Sequence, residues 1–281
     1  KTTYTQMLNE DGGIEADLTV VCMDKNYFRI ISSAANREHD KFHILKYLSK
    51  EVELKDVTDE IACLGVFGPK SRSLMLKLSN DDFSNENFKF GTSKKITINN
   101  KEIWTQRLSY VGELGFELYI KMNEAREIYN LIVEKGREFN LSNCGMYAMD
   151  TMRMEKGYLH WGHDITPEEN QYEAGLRFAI SYKKNVDFIG KDALLKIRDQ
   201  KLKKKLIILS LKNKGHTIVI ISHDIALIRK EADVIFVMSD GEIVEQWLPV
   251  QDPNHRATKQ LLKDSEEVNA PLKNFVTMNK V

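Results

Sequence analysis

Short runs of alternating apolar and polar residues, interleaved with segments of three- and four-residue apolar spacing, fill the chain from residue 1 to about 199. Period-2 runs build strands with one covered face, and their irregular mixing with helices argues for antiparallel α+β structure rather than a βαβ series. The expected strands cover residues 18–22, 28–32, 62–67, 95–98, 104–110 and 115–120. Helices are expected at 124–139, where Ile128, Leu131 and Ile132 share a face, and at 147–156 and 191–198. Residues 201–205 form a basic run read as a solvated connection. After residue 214 the texture becomes α/β, with strands expected at 217–222, 234–238 and 243–245 around a helix at 225–231. Residues 265–281 are polar and irregular.

Composition excludes several function classes. Apolar residues make up 42% of the chain, which rules out a disordered or collagen-like polymer. Lys plus Arg number 41 and Asp plus Glu 41, so no net field draws the chain to nucleic acid or to an anionic membrane. The longest apolar stretches, such as 217–221, are far shorter than a membrane span. Cys22, Cys63 and Cys144 show no metal-ligand spacing, and are read as reduced thiols in a cytoplasmic setting. Opening on Lys1 directly into TTYTQMLN, the chain is expected to be an internal fragment.

Three stretches carry the candidate chemistry. In GGIEADLTV, residues 12–20, two glycines permit a tight turn and Asp17 falls near the start of a strand. It is either a cleft carboxylate that serves a nitrogen-rich ligand or, the commoner outcome for such spacing, a turn aspartate bonded to its own backbone. In SYVGELGFELY, residues 109–119, a strand ending at Tyr110 is expected to turn through Gly112 and Gly115 and return. Alternation then places Glu117 and Tyr119 on one face and Phe116 and Leu118 on the other. Glu117 is either an inward acid needing donors or part of a solvent-facing hairpin. Residues 144–176 concentrate aromatic and charged side chains, and His160 and His163 are expected to be structural, because no third metal ligand stands at accepted spacing.

Together these stretches, with EKGY, WGHDIT, EAGL and DFIGKDAL, resemble the tetrahydrofolate-binding, glycine-cleavage T-protein-like portion of dimethylglycine and sarcosine dehydrogenases, over residues 4–211. The resemblance implies a folate-binding aminomethyltransferase-like domain at 1–211, truncated at both ends, with the pterin in a central cavity. Asp17 is then the catalytic carboxylate beside the reacting nitrogen, which it orients or deprotonates. Asp17, Leu18, Thr19 and Val20 line the cavity; Tyr110 contacts folate; Glu117, Leu118 and Tyr119 hold the pterin; and Phe178 replaces a pocket tyrosine. Met149 stands where plain T-proteins carry arginine, which points to the dehydrogenase-linked branch. The implied reaction captures a one-carbon unit from an oxidised N-methyl amine as 5,10-methylenetetrahydrofolate. No GxGxxG follows a strand, so FAD is expected only on a missing domain or partner.

Residues 215–263 resemble the end of an ABC-transporter ATPase of the peptide type, with His223 at its switch-histidine position and an irregular tail at 264–281. GxxxxGK[ST] is absent, so ATP is not expected, and the join near 212–216 is read as a fusion of truncated frames. The rival functions are a transporter ATPase fragment and a non-catalytic folate-binding protein.

Overall fold

The computed structural model describes residues 1–184, 186–200, 202, 204–206, 235–239, 242–247 and 259. The chain divides into two compact units, Lys1–Ile208 and Leu209–Val281. In the second, β8 (Ile235–Ser239) pairs antiparallel with β9 (Glu242–Trp247), matching two of the expected strands. The strand expected at 217–222, the helix at 225–231, His223 and the tail lie outside the described residues.

The first unit is α+β, with two antiparallel sheets. One has the order β1-β2-β3, built from Thr2–Leu8, Ile14–Asp24 and Tyr27–Ile31. The other has the order β4-β7-β6-β5, from Ile61–Phe67, Gly115–Lys121, Lys101–Gln106 and Ser93–Ile98. The β5–β6 hairpin turns through Asn99 and Asn100, both at positive φ (46° and 60°), a conformation asparagine tolerates and two-residue hairpins require. β1 and β2 join through Gly12 (φ 85°) and Gly13, and a Cβ on Gly13 would come within 2.0 Å of the Pro167 carbonyl. The FIG motif meets the same turn: Gly190 (φ 79°) leaves room for only 2.6 Å between an added Cβ and the Asn9 carbonyl.

The helices are α1 (Arg37–Tyr47), α2 (Ser71–Leu78), α3 (Met122–Gly136), α4 (Met146–Glu155) and α5 (Lys191–Arg198). α3 buries Ile128 and Ile132 four residues apart and ends before Asn140, a left-handed residue that closes the last turn. With Leu74, Met75 and Leu78 of α2 it covers one face of the second sheet, where Phe116, Leu118 and Ile120 are buried. Phe83 meets Phe116 edge-on at 5.3 Å, so truncating Phe116 to alanine would cost about 3–5 kcal/mol. The opposite face of that sheet is thereby left for other use. Among the described residues no helix is long and apolar enough to cross a membrane.

One expected strand ends early. β6 stops at Gln106 rather than at Tyr110; Arg107 makes the last cross-strand backbone bonds, to Thr92 and Gly91, and its guanidinium donates to the Phe88 carbonyl and to Asn85. Tyr110 therefore sits in the connecting loop rather than on the hairpin strand.

Candidate functional site

Asp17 lies within β2, directly opposite Gln6 of β1. Cross-strand partners share a face, and Tyr4 lies diagonally on the same side. The Tyr4 hydroxyl donates to Oδ2 of Asp17 at 2.9 Å and Gln6 Nε2 donates to Oδ1 at 2.8 Å. Gln6 is itself fixed, since its Oε1 accepts from Gln171 Nε2 at 2.7 Å. Asp17 is thus a cross-strand-bonded acid, and the turn alternative does not occur. Burial raises its pKa above the ordinary carboxylate value, while the two donors pull it back. Burial and the neighbouring carboxylate push the Tyr4 phenol far up, so Tyr4 stays a donor.

Phe178 joins this group: its ring stacks on Tyr4 with centroids 6.2 Å apart. Tyr110 stands at the margin, donating its hydroxyl to the Leu159 carbonyl at 2.9 Å. Burial pushes its phenol up to about 12, Arg153 opposes, and the charges of Asp164 and Asp17 add to the rise, which places Tyr110 within electrostatic reach of Asp17. Two expected pocket residues fall elsewhere. The pleat turns Leu18 and Val20 to the face opposite Asp17, where Leu18 is buried, so only Thr19 of that run shares the Asp17 face.

In the second sheet, Glu117 and Tyr119 do share a face, and the Tyr119 hydroxyl donates to Glu117 Oε2 at 2.6 Å. Leu118 is fully buried in the core on the other side, so it cannot touch a ligand held by Glu117. Burial raises the Glu117 pKa against the opposing Tyr119 bond. Cys63, opposite Tyr119 in β4, is exposed, yet desolvation leads the effects that push its thiol up to about 12, with Glu117 second.

Arg29 relates the two sheets. Paired with Val21, it sits on the Asp17 face of the first sheet, and its guanidinium carbon lies 5.9 Å from the centroid of the Tyr119 ring. The Asp17 face and the Glu117 face therefore look toward each other. On these faces lie buried polar atoms without a hydrogen-bond partner among the described residues: Arg29 Nε and Nη1, Trp104 Nε1, Ser93 Oγ and both amide atoms of Gln106. Trp104 pairs with Tyr119, Gln106 with Glu117, and Ser93 with Gln106, so these side chains lie on the inner face. Tyr4, 39% exposed, and Phe178, 75% exposed, form the accessible edge of the Asp17 face. A cavity of about 310 Å³ beside Tyr182 and another of about 330 Å³ beside Phe188 are lined by neither Asp17 nor Glu117.

The histidine-rich stretch is tied into the fold by Arg153, Asp164 and Trp161. Arg153 of α4, 4% exposed, is held by Asp150 at 2.7 Å, by Asp164 and by the Tyr158 carbonyl. Asp164 also accepts the His160 backbone N–H, and Trp161 Nε1 donates to the Ile14 carbonyl at the start of β2. The His160 and His163 rings are tilted by 41° with centroids 4.3 Å apart, and burial followed by His163 lowers the His160 pKa. Among the described residues no cluster of three or more His, Cys, Asp or Glu could hold a metal. Sequence reasoning missed Tyr4, Gln6, Gln171, Arg29 and Gln106. The alternation of Tyr4 and Gln6 in TTYTQML was a readable signal; the other three depend on register and tertiary placement.

The geometry of two facing antiparallel sheets, each presenting a half-buried acid, can be set beside known proteins. Residues 1–184 match the GCVT N-terminal domain, and the chain belongs to that family. It is 36% identical over 217 residues to human mitochondrial dimethylglycine dehydrogenase, covering 75% of this chain and 25% of that protein. It is 38% identical over 205 residues to an aminomethyltransferase of Caldanaerobacter subterraneus subsp. tengcongensis, covering 73% of this chain and 54% of that protein. The crystal structure of glycine cleavage system aminomethyltransferase T from Bartonella henselae shares the fold, with a TM-score of 0.60 at 23% identity over 70% of this chain and 52% of that one. The chain thus spans a quarter of the dehydrogenase and little more than half of the transferases.

Proposed function

We propose that residues 1–211 bind tetrahydrofolate between the two sheets and promote transfer of a one-carbon unit to it. Kinship with aminomethyltransferases and dimethylglycine dehydrogenase supports the reaction class. The observation that carries the site is the opposition of the Asp17 and Glu117 faces across the Arg29–Tyr119 contact. The residues fit such a ligand: a reduced pterin offers adjacent N–H groups to a carboxylate, and Glu117 keeps lone pairs beyond the one that Tyr119 occupies.

Bound folate would supply a nucleophilic nitrogen for the one-carbon unit. Glu117, oriented by Tyr119, accepts the ring's N–H donors through its remaining lone pairs. Asp17 holds or receives a proton at its carboxylate, whose two oxygens Tyr4 and Gln6 keep fixed. Its raised pKa makes that carboxylate a stronger base than a solvated aspartate. Tyr4 and Phe178 form an aromatic wall at the margin. The one-carbon unit would come from an N-methyl amine oxidised by a flavin-bearing domain or subunit.

Incubation with tetrahydrofolate and formaldehyde tests this reading. Methylenetetrahydrofolate should form faster than in protein-free buffer, and Asp17→Asn should abolish the enhancement while retaining folate affinity. Equal rates with and without the protein would remove the proposal.

A further inference from the structure

Two arginines on the α2 side of the second sheet converge on one neutral atom. Arg72 of α2 donates from Nη2 to Asn85 Oδ1 at 2.6 Å, and Arg107, just after β6, donates from its own Nη2 to the same oxygen at 2.7 Å. Arg107 also donates from Nη1 to the Phe88 carbonyl at 2.6 Å. Arg72 Nε is buried and has no hydrogen-bond partner among the described residues, so this guanidinium is only partly used. Two guanidiniums side by side repel each other unless an anion offsets them, and the partner they share is an uncharged carboxamide. The repulsion registers on Arg107, whose pKa is lowered by burial first and by Arg72 second, with Glu86 opposing.

The aspartates of the same loop are committed elsewhere. Asp81 accepts from the Ser79 hydroxyl and from the Thr97 N–H, both at 2.8 Å. Asp82 accepts the Ser84 N–H at 2.7 Å and the Asn87 amide at 2.5 Å. Glu86 is exposed and acts on Arg107 through space rather than by a hydrogen bond. Asn85 is exposed and both arginines are partly so, which leaves the pair within reach of an ion from solvent. The place is separate from the proposed folate face. Arg72 belongs to α2, which packs on the Phe116 side of the sheet, whereas Glu117 stands on the other side.

We infer that Arg72, Arg107 and Asn85 form a binding site for a phosphate group, carried either as the free ion or as a small monoester. A guanidinium grips an oxyanion along an edge of two oxygens. A carboxylate has one such edge, while a tetrahedral phosphate has several and can face two guanidiniums at once. Its charge of about −1.5 to −2 at neutral pH offsets both arginines. Asn85 Nδ2, which donates to no protein atom among the described residues, adds a neutral donor beside them. The bound group would tie α2 and the Asn85 loop to the end of β6. The attraction is open to solvent, so salt weakens it. None of this depends on the folate reading.

The test is thermal unfolding of the whole chain during titration with inorganic phosphate, glycerol 3-phosphate or acetate, at an ionic strength held constant with sodium chloride. The wild type is compared with Asn85→Asp and Arg72→Gln. Asn85 is exposed, so its replacement by an isosteric carboxylate should fold, and it places a built-in anion where the two arginines meet. Phosphate should raise the wild-type melting temperature saturably, by roughly 3 °C at a tenfold excess over its Kd, and acetate should do so far less. Asn85→Asp should start from a higher melting temperature and lose the response to phosphate. Arg72→Gln should lose the response without starting higher. A larger response to glycerol 3-phosphate assigns the site to a monoester, and a larger response to phosphate assigns it to the free ion. The site is overturned by a wild type that phosphate does not stabilise, by an equal response to acetate, or by a response that survives in Asn85→Asp.

Discussion

Asp17 and Glu117 are both carboxyls raised by burial, yet their surroundings differ. Each Asp17 oxygen has a protein donor, one from Tyr4 and one from Gln6, and Gln6 is locked by Gln171. Among the described residues Glu117 has a single protein donor, Tyr119. The first acid is held in place by its own sheet. The second keeps lone pairs with no protein donor among those residues. Fixed geometry suits a group that handles a proton, and spare capacity suits a group that recognises a ligand.

The contrast can be broken by substitution. Asp17→Asn keeps an acceptor oxygen for one donor and removes the base; transfer should fall by about 10²–10⁴ while folate affinity stays within about threefold. A comparable loss of affinity in a binding titration would place Asp17 in recognition instead. Glu117→Gln should reverse the pattern, weakening folate binding by about 1.5–3 kcal/mol with a smaller effect on the rate at saturation. Unchanged affinity would dissolve the distinction between the two faces.

Gln106→Leu sharpens the comparison from the side of stability. Gln106 is fully buried with both amide atoms unpartnered, so replacing it by an apolar group of similar size should raise folding stability by about 1 kcal/mol in a denaturant titration. A large destabilisation would mean that the amide is satisfied in solution. The smallest effect is on pH dependence. Because Asp17 and Glu117 titrate above their ordinary values of 3.8 and 4.5, the unfolded chain loses these protons first. Their contribution to stability is therefore greatest below those values and declines as pH rises toward the folded-state pKa values. Asp17→Asn and Glu117→Gln should each flatten that decline, measured as melting temperature against pH.

Much of this arrangement was legible in the residues. The alternation of FELY placed Glu117 and Tyr119 together, and the apolar spacing of Ile128 and Ile132 marked α3. The glycine pair before Asp17 and the FIG motif were visible, though not that they meet. The failures have physical causes. β1 is rich in threonine and owes its place to pairing with β2 rather than to an apolar stripe. α1 buries only Asp40 and His43, so it carries no apolar periodicity to detect. Leu18, Val20 and Leu118 were grouped with their neighbours by contiguity in a motif, whereas a strand sends successive side chains to opposite faces. Tyr110 follows the last cross-strand bonds, those of Arg107, and its hydroxyl goes to the Leu159 carbonyl, a partner 49 residues away that local alternation does not reveal. Gln106 and Arg29 acquire meaning only through register, the first opposite Glu117 and the second opposite Val21.

A crystal structure of the chain with tetrahydrofolate tests the central claim most directly. The pteridine should lie between the two sheets, with Glu117 within hydrogen-bond distance of its N–H groups and Asp17 facing the reacting nitrogen. A pteridine bound outside that space, or touching one of the two acids while the other faces away, would contradict it.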